Sequence, residues 1–257
     1  MNILEVAVEA ATRAGRVLKD NIGRARSVEY KGAVDIVTDM DRAAESIIVD
    51  LIESVYPDHG ILAEEREETL GSSDNRWIID PLDGTTNYAH GFPVFCTSIA
   101  YETKGEVVLG IVYNPMLEEM FVAEKGTGAF LNGVRIEVSK VSEIGGSLLA
   151  TGFPYDIRNT KKTNLEHFSD FALRAQAIRR AGSAALDLCY VATGRFDGFW
   201  ELKLKPWDVA AAALIVKEAG GKITDFKDNV FSIYNDEFLA SNGLIHGDMV
   251  KILQGQV

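Results

Sequence analysis

An apolar strand that runs straight into acid is costly to fold, and Trp77-Ile78-Ile79-Asp80-Pro81-Leu82-Asp83-Gly84-Thr85-Thr86-Asn87 is such a segment. Trp77-Ile78-Ile79 reads as a short buried strand ending on Asp80, with Asp83 three residues on. Unpaired carboxylates at a buried strand end cost several kcal/mol each, so cations or protonation must compensate. Hard oxygen donors without nearby His or Cys favour Mg²⁺ or Ca²⁺ over Zn²⁺. Mg²⁺ keeps waters and takes phosphate oxygens as its remaining ligands. If a helix begins at Gly84-Thr85-Thr86, its free N–H groups and dipole would hold a phosphate beside the metals. An Asp-Gly turn followed by a Thr-capped helix is the plainer reading, but it leaves two Asp residues on one buried strand end unexplained.

The rest of the chain fits that picture. Its 257 residues are enough for one large domain or two modest ones, and 47% hydrophobic with 25% charged residues are ordinary globular values. A formal net charge of −12 argues against a nucleic-acid groove, which needs clustered Lys and Arg, so no direct nucleic-acid binding is expected. An acidic protein that handles phosphate does so most readily through bound cations. Cys96 and Cys189 lie far apart in apolar segments, so a disulfide is not indicated and a cytoplasmic setting is expected. No signal-peptide pattern and no membrane-spanning run is visible.

Along the chain, Ile3, Val6, Ala7, Ala10, Ala14, Val17 and Leu18 recur at helical spacing, and a second helix is expected from Asp41 to about Val55, stopped by Pro57. From Phe95 to Val138 short β-rich runs are punctuated by turn pairs, which predicts an antiparallel meander. Asn132-Gly133 is its clearest hairpin signal, since a type I′ turn needs two residues that tolerate positive φ. After Ser142 strands are expected at 147–151, 177–180, 198–202, 222–225 and 238–241. Helices are expected at 164–174, 183–193, 206–219 and 246–253. Gly194 and Gly220-Gly221 suit helix C-caps. The expected organisation is an α+β half over residues 1–142 and an α/β half over residues 143–257, in a layered α/β architecture.

The strand-to-carboxylate segment resembles the metal-binding signature of the inositol monophosphatase family, within the lithium-sensitive sugar-phosphatase superfamily. Trp207-Asp208-Val209-Ala210-Ala211-Ala212, continuing to Glu218-Ala219-Gly220-Gly221, resembles a second family signature. The similarity spans nearly the whole chain. It includes Val34-Asp35-Ile36-Val37-Thr38 before Asp41, Ala63-Glu64-Glu65, and Ala181-Gly182-Ser183-Ala184-Ala185, and bacterial members are the most alike.

The resemblance implies the sugar-phosphatase fold of alternating helix and sheet layers, and a Mg²⁺-dependent phosphomonoesterase hydrolysing myo-inositol monophosphate. It implies two to three ions per site: one held by Glu64, Asp80 and the Leu82 carbonyl, one by Asp80, Asp83 and Asp208, and a weaker third resting largely on Glu64. It assigns Thr85 to orienting the attacking water, Asp41 to accepting a hydrogen bond from Thr85, and Lys31 to a mobile active-site loop. Asp39 lies close enough to Asp41 to be confused with it. The substrate would meet Asp83, Gly84, Thr85, the Ala184 N–H, Glu201 and Asp208. Lithium inhibition and a homodimer are further implications. Read from the residues alone, Asp208 would be an acid in a helix's first turn, Glu64 a solvated loop residue and Asp41 a helix N-cap.

Other substrates share these signatures, among them fructose 1,6-bisphosphate, histidinol phosphate and 3′-phosphoadenosine nucleotides. A bisphosphate needs a second cationic site, for which Arg179, Arg180, Lys203 and Lys205 are candidates. A transcription-machinery binding protein with an incidental phosphatase site is the alternative of another class. The four histidines lack metal-ligand spacing and take no role. Cys189 reads as a core thiol, and Asp187 is expected on a solvated face or at a dimer contact.

Overall fold

The structure is a computed structural model that describes residues 1–23, 28–30 and 36–256. Lys31, Val34 and Asp35 lie outside the described residues.

Helix α1 (Ile3–Asn21) opens on a capping box in which Asn2 and Glu5 bond each other's backbone N–H. Its buried face, Val6, Ala7, Ala10, Ala14 and Leu18, follows the helical repeat in the sequence. Strands β1 (Val28–Tyr30) and β2 (Ile36–Thr38) form an antiparallel pair leading into α2 (Asp39–Val55). This helix starts two residues before the expected Asp41, because Thr38 is the cap: its Oγ1 accepts the Met40 N–H at 3.1 Å while Asp41 reaches back to the Thr38 N–H at 2.8 Å.

β3 (Gly60–Ala63), β4 (Asn75–Asp83), β5 (Cys96–Thr103), β6 (Glu106–Asn114), β7 (Glu119–Glu124), β8 (Gly128–Leu131) and β9 (Val134–Ile136) form one seven-stranded sheet in chain order. Only β3 and β4 run parallel; the rest is the expected meander. Asn132 and Gly133 turn its last hairpin with φ of 50° and 79°, as a type I′ turn demands.

The second sheet has the order β11-β10-β12-β14-β13, from β10 (Leu148–Thr151), β11 (Ala177–Arg179), β12 (Gly198–Leu202), β13 (Lys222–Thr224) and β14 (Glu237–Ser241). The remaining helices are α3 (Thr85–Ala89), α4 (Leu165–Ala172), α5 (Ala184–Ala192), α6 (Pro206–Glu218) and α7 (His246–Leu253).

These elements stack in five layers. Side chains on β4 alternate: Trp77 and Ile79 join the core under α1 and α2, while Ile78 joins the core of α5 and α6. A strand buried on both faces reads as a continuous apolar run, as Trp77-Ile78-Ile79 does. Helices α5 and α6 lie between the two sheets and are apolar nearly all round. Gly110 lets α6 press onto β6, since a Cβ there would collide with the Ala211 carbonyl. On the far face, Phe171 of α4 and Met249 and Ile252 of α7 pack against Leu149, Trp200 and Leu239. The sheets change over between Ile136 and Leu148. One apolar cluster, with Ile78 and Cys96 on one side and Ala185 and Phe199 on the other, joins the two halves.

Candidate active site

The site is built on a fault in the sheet. Along β4 and β5 Asp80 faces Ser98, but Asp83 faces Cys96, so three steps on one strand match two on the other. In a regular strand residues three apart point to opposite faces. The bulge resets the alternation, and Asp80, Leu82 and Asp83 all line one cavity of about 280 Å³. Glu64 follows β3 directly beside Asp80, because Ala63 pairs with Ile79 and the Glu64 N–H bonds the Ile79 carbonyl at 3.2 Å. Asp208 arrives from the first turn of α6, pinned by the Lys205 N–H at 2.7 Å and by Ser98 Oγ on the Trp207 carbonyl at 3.3 Å. A second cavity, of about 360 Å³, also gathers acids, Glu102, Glu106 and Glu218, but with Lys125 and Lys217 among them and Lys125 paired to Glu106.

Gly84 ends the strand at φ 98°, and a Cβ there would meet the Val94 carbonyl at 2.9 Å. The chain then turns into α3. At five residues this helix carries little dipole, so the expected anion attraction reduces to its unbonded first N–H groups. Asn87 clips the turn in place, donating to the carbonyls of Val94 and Ala181 at 2.7 and 2.8 Å.

Thr85 Oγ1 stands 2.9 Å from Asp41 Oδ1 and 3.0 Å from the Leu82 carbonyl. Asp41, not Asp39, is therefore the carboxylate that meets Thr85. It is not the N-cap expected from the residues alone but the third residue of α2, fully buried, with Oδ2 accepting the Thr38 N–H and Oγ1 at 2.8 and 2.6 Å. Burial raises its pKa, and these donors work against the shift.

Asp83 has the richest support. Its Oδ2 accepts Ser183 Oγ at 2.6 Å and the Ala185 N–H at 2.8 Å, with the Cys96 thiol at 3.8 Å. Ser183 is the N-cap of α5, so the start of that helix faces Asp83. The Ala184 N–H, expected to meet substrate, also stabilises charged Asp83. Even so, burial holds the Asp83 pKa above the usual carboxylate range. The Asp80 and Asp208 pKa values are pushed well up, first by burial and then by repulsion from Glu64, with Asp83 adding to both. Glu45 of α2 secures the segment after Glu64, accepting the Glu65 N–H at 2.9 Å and pairing with Arg66 at 3.3 Å.

At the other end of the cavity stands half-buried Glu201, on β12. Burial pushes its pKa up to about 8; Arg180 opposes the shift and Asp83 adds to it. Its carboxyl lies where a Cβ of residue 152 would be, so Glu201 can hold this position only against a glycine at 152. Arg180, Lys203 and Lys205 line the cavity, and Arg179 does not. Lys203 Nζ is already engaged by Asp156 at 2.6 Å and Thr160 at 3.1 Å. Asp187 is on neither a solvated face nor an outer surface; it is 2% exposed and lines the cavity.

Sequence reasoning passed over Thr38, Glu45, Asn87, Gly152 and Ser183. Two had a legible signal: Ser183 as a helix N-cap residue before Ala184, and Thr38 as the head of a Thr-x-x-Asp capping box with Asp41. The two cysteines are free and buried, as expected. Among the described residues no helix is long and apolar enough to cross a membrane.

In donor type the cavity suits a hard divalent cation. Asp80 and Asp208 each give one oxygen to a backbone N–H, and no hydrogen bond takes the other among the described residues. The carboxylates surround the cavity rather than meet at a point. Among the described residues no three His, Cys, Asp or Glu side chains stand close enough to hold an ion.

The sequence pattern of the inositol monophosphatase family matches residues 1–257. The chain belongs to that family. The inositol-1-monophosphatase of Synechocystis sp. is 44% identical over 253 residues, covering 97% of this chain and 88% of its own. The Nus factor SuhB of Salmonella typhimurium is 46% identical over 227 residues, 87% of this chain and 85% of its own. Among solved structures, the IMPase of Thermotoga maritima superposes with a TM-score of 0.91 at 41% identity, covering 100% of this chain and 98% of its own. Family membership supports phosphatase activity and shows the layered fold expected from the sequence.

Proposed function

We propose that this chain is a Mg²⁺-dependent phosphomonoesterase that hydrolyses myo-inositol monophosphate. The observation that carries the reading is the Thr85 hydroxyl, set between Asp41 and the Leu82 carbonyl at the wall of a cavity that Glu64, Asp80, Asp83 and Asp208 line with two further acids. Glu64, Asp80, Asp83, Asp208 and the Leu82 carbonyl would hold two to three ions. When bound, such ions lower the pKa of an attacking water and offset charge on the departing alkoxide.

The chain's own residues do the positioning. A hydroxyl has one proton to donate. With that proton on Asp41 Oδ1, the Thr85 oxygen presents its lone pairs to a water and fixes the line of attack. Thr38 keeps Asp41 in the accepting state by bonding its other oxygen. Gly84 and the first N–H groups of α3 receive the phosphate. Glu201 accepts from ring hydroxyls at the far end, where a polyol needs acceptors as well as donors. No residue of the site is needed as a covalent nucleophile.

A panel of phosphate esters assayed with Mg²⁺ tests the substrate assignment. Myo-inositol 1-phosphate should be turned over with the highest kcat/KM. If fructose 1,6-bisphosphate is the better substrate and neutralising Arg180 selectively impairs it, the cavity serves a bisphosphate instead.

The SuhB relative, named as a Nus factor, favours a second reading in which the chain also binds the transcription machinery. Pull-downs from native extract, with wild-type protein and a metal-site variant side by side, separate that role from catalysis. A homodimer is part of the proposal, and light scattering of the purified protein tests it.

A further inference from the structure

The chain leaves the end of β10 at Gly152 and comes back to it at Asn164, which ties the two together. Asn164 is 3% exposed, and its backbone takes φ 67°, a left-handed conformation that Asn tolerates better than most residues. Its Nδ2 donates to the Gly152 carbonyl at 2.7 Å and to Thr151 Oγ1 at 2.9 Å. Its Oδ1 accepts the Trp200 indole N–H at 2.8 Å and lies 3.3 Å from His167 Nδ1. Both amide hydrogens are therefore used, together with the carbonyl oxygen, a set that neither Asp nor Leu could supply in its place.

The partners of Asn164 surround one residue of the cavity. Thr151 faces Trp200 in the parallel register of β10 and β12, which brings the next residues, Gly152 and Glu201, side by side. The Thr151 hydroxyl donates at 2.5 Å to the Trp200 carbonyl, which belongs to the peptide leading into Glu201. The Glu201 carboxyl rests directly on Gly152, since a Cβ there would lie 2.1 Å from Oε1. Asn164 thus holds the backbone on which the Glu201 carboxyl is seated and, through Thr151, the peptide from which Glu201 springs. Asn164 itself is not among the residues that line the cavity.

We infer that Asn164 is a positioning residue for substrate selection: without touching the ligand, it fixes Glu201 as an acceptor for ring hydroxyls and so favours polyol monophosphates over esters that carry no hydroxyls. The inference rests on the phosphatase reading above. An acceptor ordered during folding loses no freedom when the ligand arrives, so it binds more tightly than the same carboxyl left mobile. With Glu201 packed directly on Gly152, any movement of Gly152 is passed to the carboxyl.

The test is a double-mutant cycle on Asn164→Gly and Glu201→Ala, with kcat and KM measured on myo-inositol 1-phosphate and p-nitrophenyl phosphate at saturating Mg²⁺. Glycine keeps the left-handed backbone and removes only the amide. Asn164→Gly should lower kcat/KM for the inositol ester about ten-fold, chiefly through KM, and leave the aryl ester within about two-fold. In the Glu201→Ala background it should cost almost nothing more, because the acceptor it positions has gone. Thr151→Val breaks the link to the Trp200 carbonyl at nearly constant volume; it should show the same pattern at smaller size, and it carries the cycle if the glycine variant does not fold. Losses that multiply in the double variant, or equal losses on both esters, would make Asn164 a structural support, and no loss on either ester would make it idle; each outcome overturns the inference. Wild-type protein that hydrolyses neither ester overturns the phosphatase reading, and a Glu201→Ala variant that keeps full activity on the inositol ester overturns the acceptor role of Glu201; the inference falls with either, by a result distinct from those above.

Discussion

At residue 152 the Glu201 carboxyl occupies the space a side chain would need. Gly152→Ala should therefore displace Glu201 and imitate its loss. Above about pH 8, where Glu201 is ionised, its hydrogen bonds are charge-assisted and contribute about 1.5–3 kcal/mol each. Both Gly152→Ala and Glu201→Gln should then cost about ten-fold to a hundred-fold in kcat/KM for myo-inositol 1-phosphate, and less for glycerol 2-phosphate, which presents fewer hydroxyls. Steady-state kinetics on the two esters checks this. Thr85 belongs to the other end of the site and should behave differently. Its hydroxyl acts on the attacking water, so Thr85→Ala should lower kcat about 10²-fold or more with little change in KM, while Thr85→Ser, which keeps the hydroxyl, retains most of kcat. A rise in KM alone would make Thr85 a substrate binder.

Among the elements, α5 joins structure to site: Ser183 caps the helix and bonds Asp83 with the same hydroxyl. Ser183→Ala should cost about 1 kcal/mol of stability through the lost cap, read as a lower denaturant midpoint at unchanged m-value. Such dual roles are hard to see in a sequence. The helices and the meander were legible because their periodicity is local, as were the Asn132-Gly133 turn and the span of α7. The β1–β2 pair and β3 were not: β3 offers only Ile61-Leu62-Ala63 and is defined by its parallel pairing with β4, which nothing local encodes. The carboxylates at Asp80 and Asp83 were legible as a pair, whereas the bulge that turns both to one cavity exists only in the register against β5. Asp187 was misplaced for a related reason. An acid in a helix ordinarily marks the wet face, and nothing local reveals that α5 lies between two sheets.

For the molecule as a whole, burying acid sets a pH dependence. Asp80, Asp83, Asp187, Asp208 and Glu201 all have folded-state pKa values above their ordinary ones. A group of this kind contributes stability that is fully present below its unfolded pKa and is lost as pH rises through its folded pKa. For Glu201 the window runs from 4.5 to about 8. In chelator the melting temperature of wild-type protein should fall across that window more than that of Glu201→Gln, which has no proton to lose. Added Mg²⁺ should restore more stability near pH 8 than near pH 5, because a cation binds the ionised carboxylates. The same cation dependence must appear in catalysis. The most direct measurement is phosphate release from myo-inositol 1-phosphate, followed in excess chelator and then through a Mg²⁺ titration, for wild type and for folded Asp83→Asn. Wild-type activity should vanish in chelator and return with Mg²⁺, and Asp83→Asn should stay inactive throughout; turnover that persists in excess chelator, or a variant that keeps most of kcat at saturating Mg²⁺, would contradict the account.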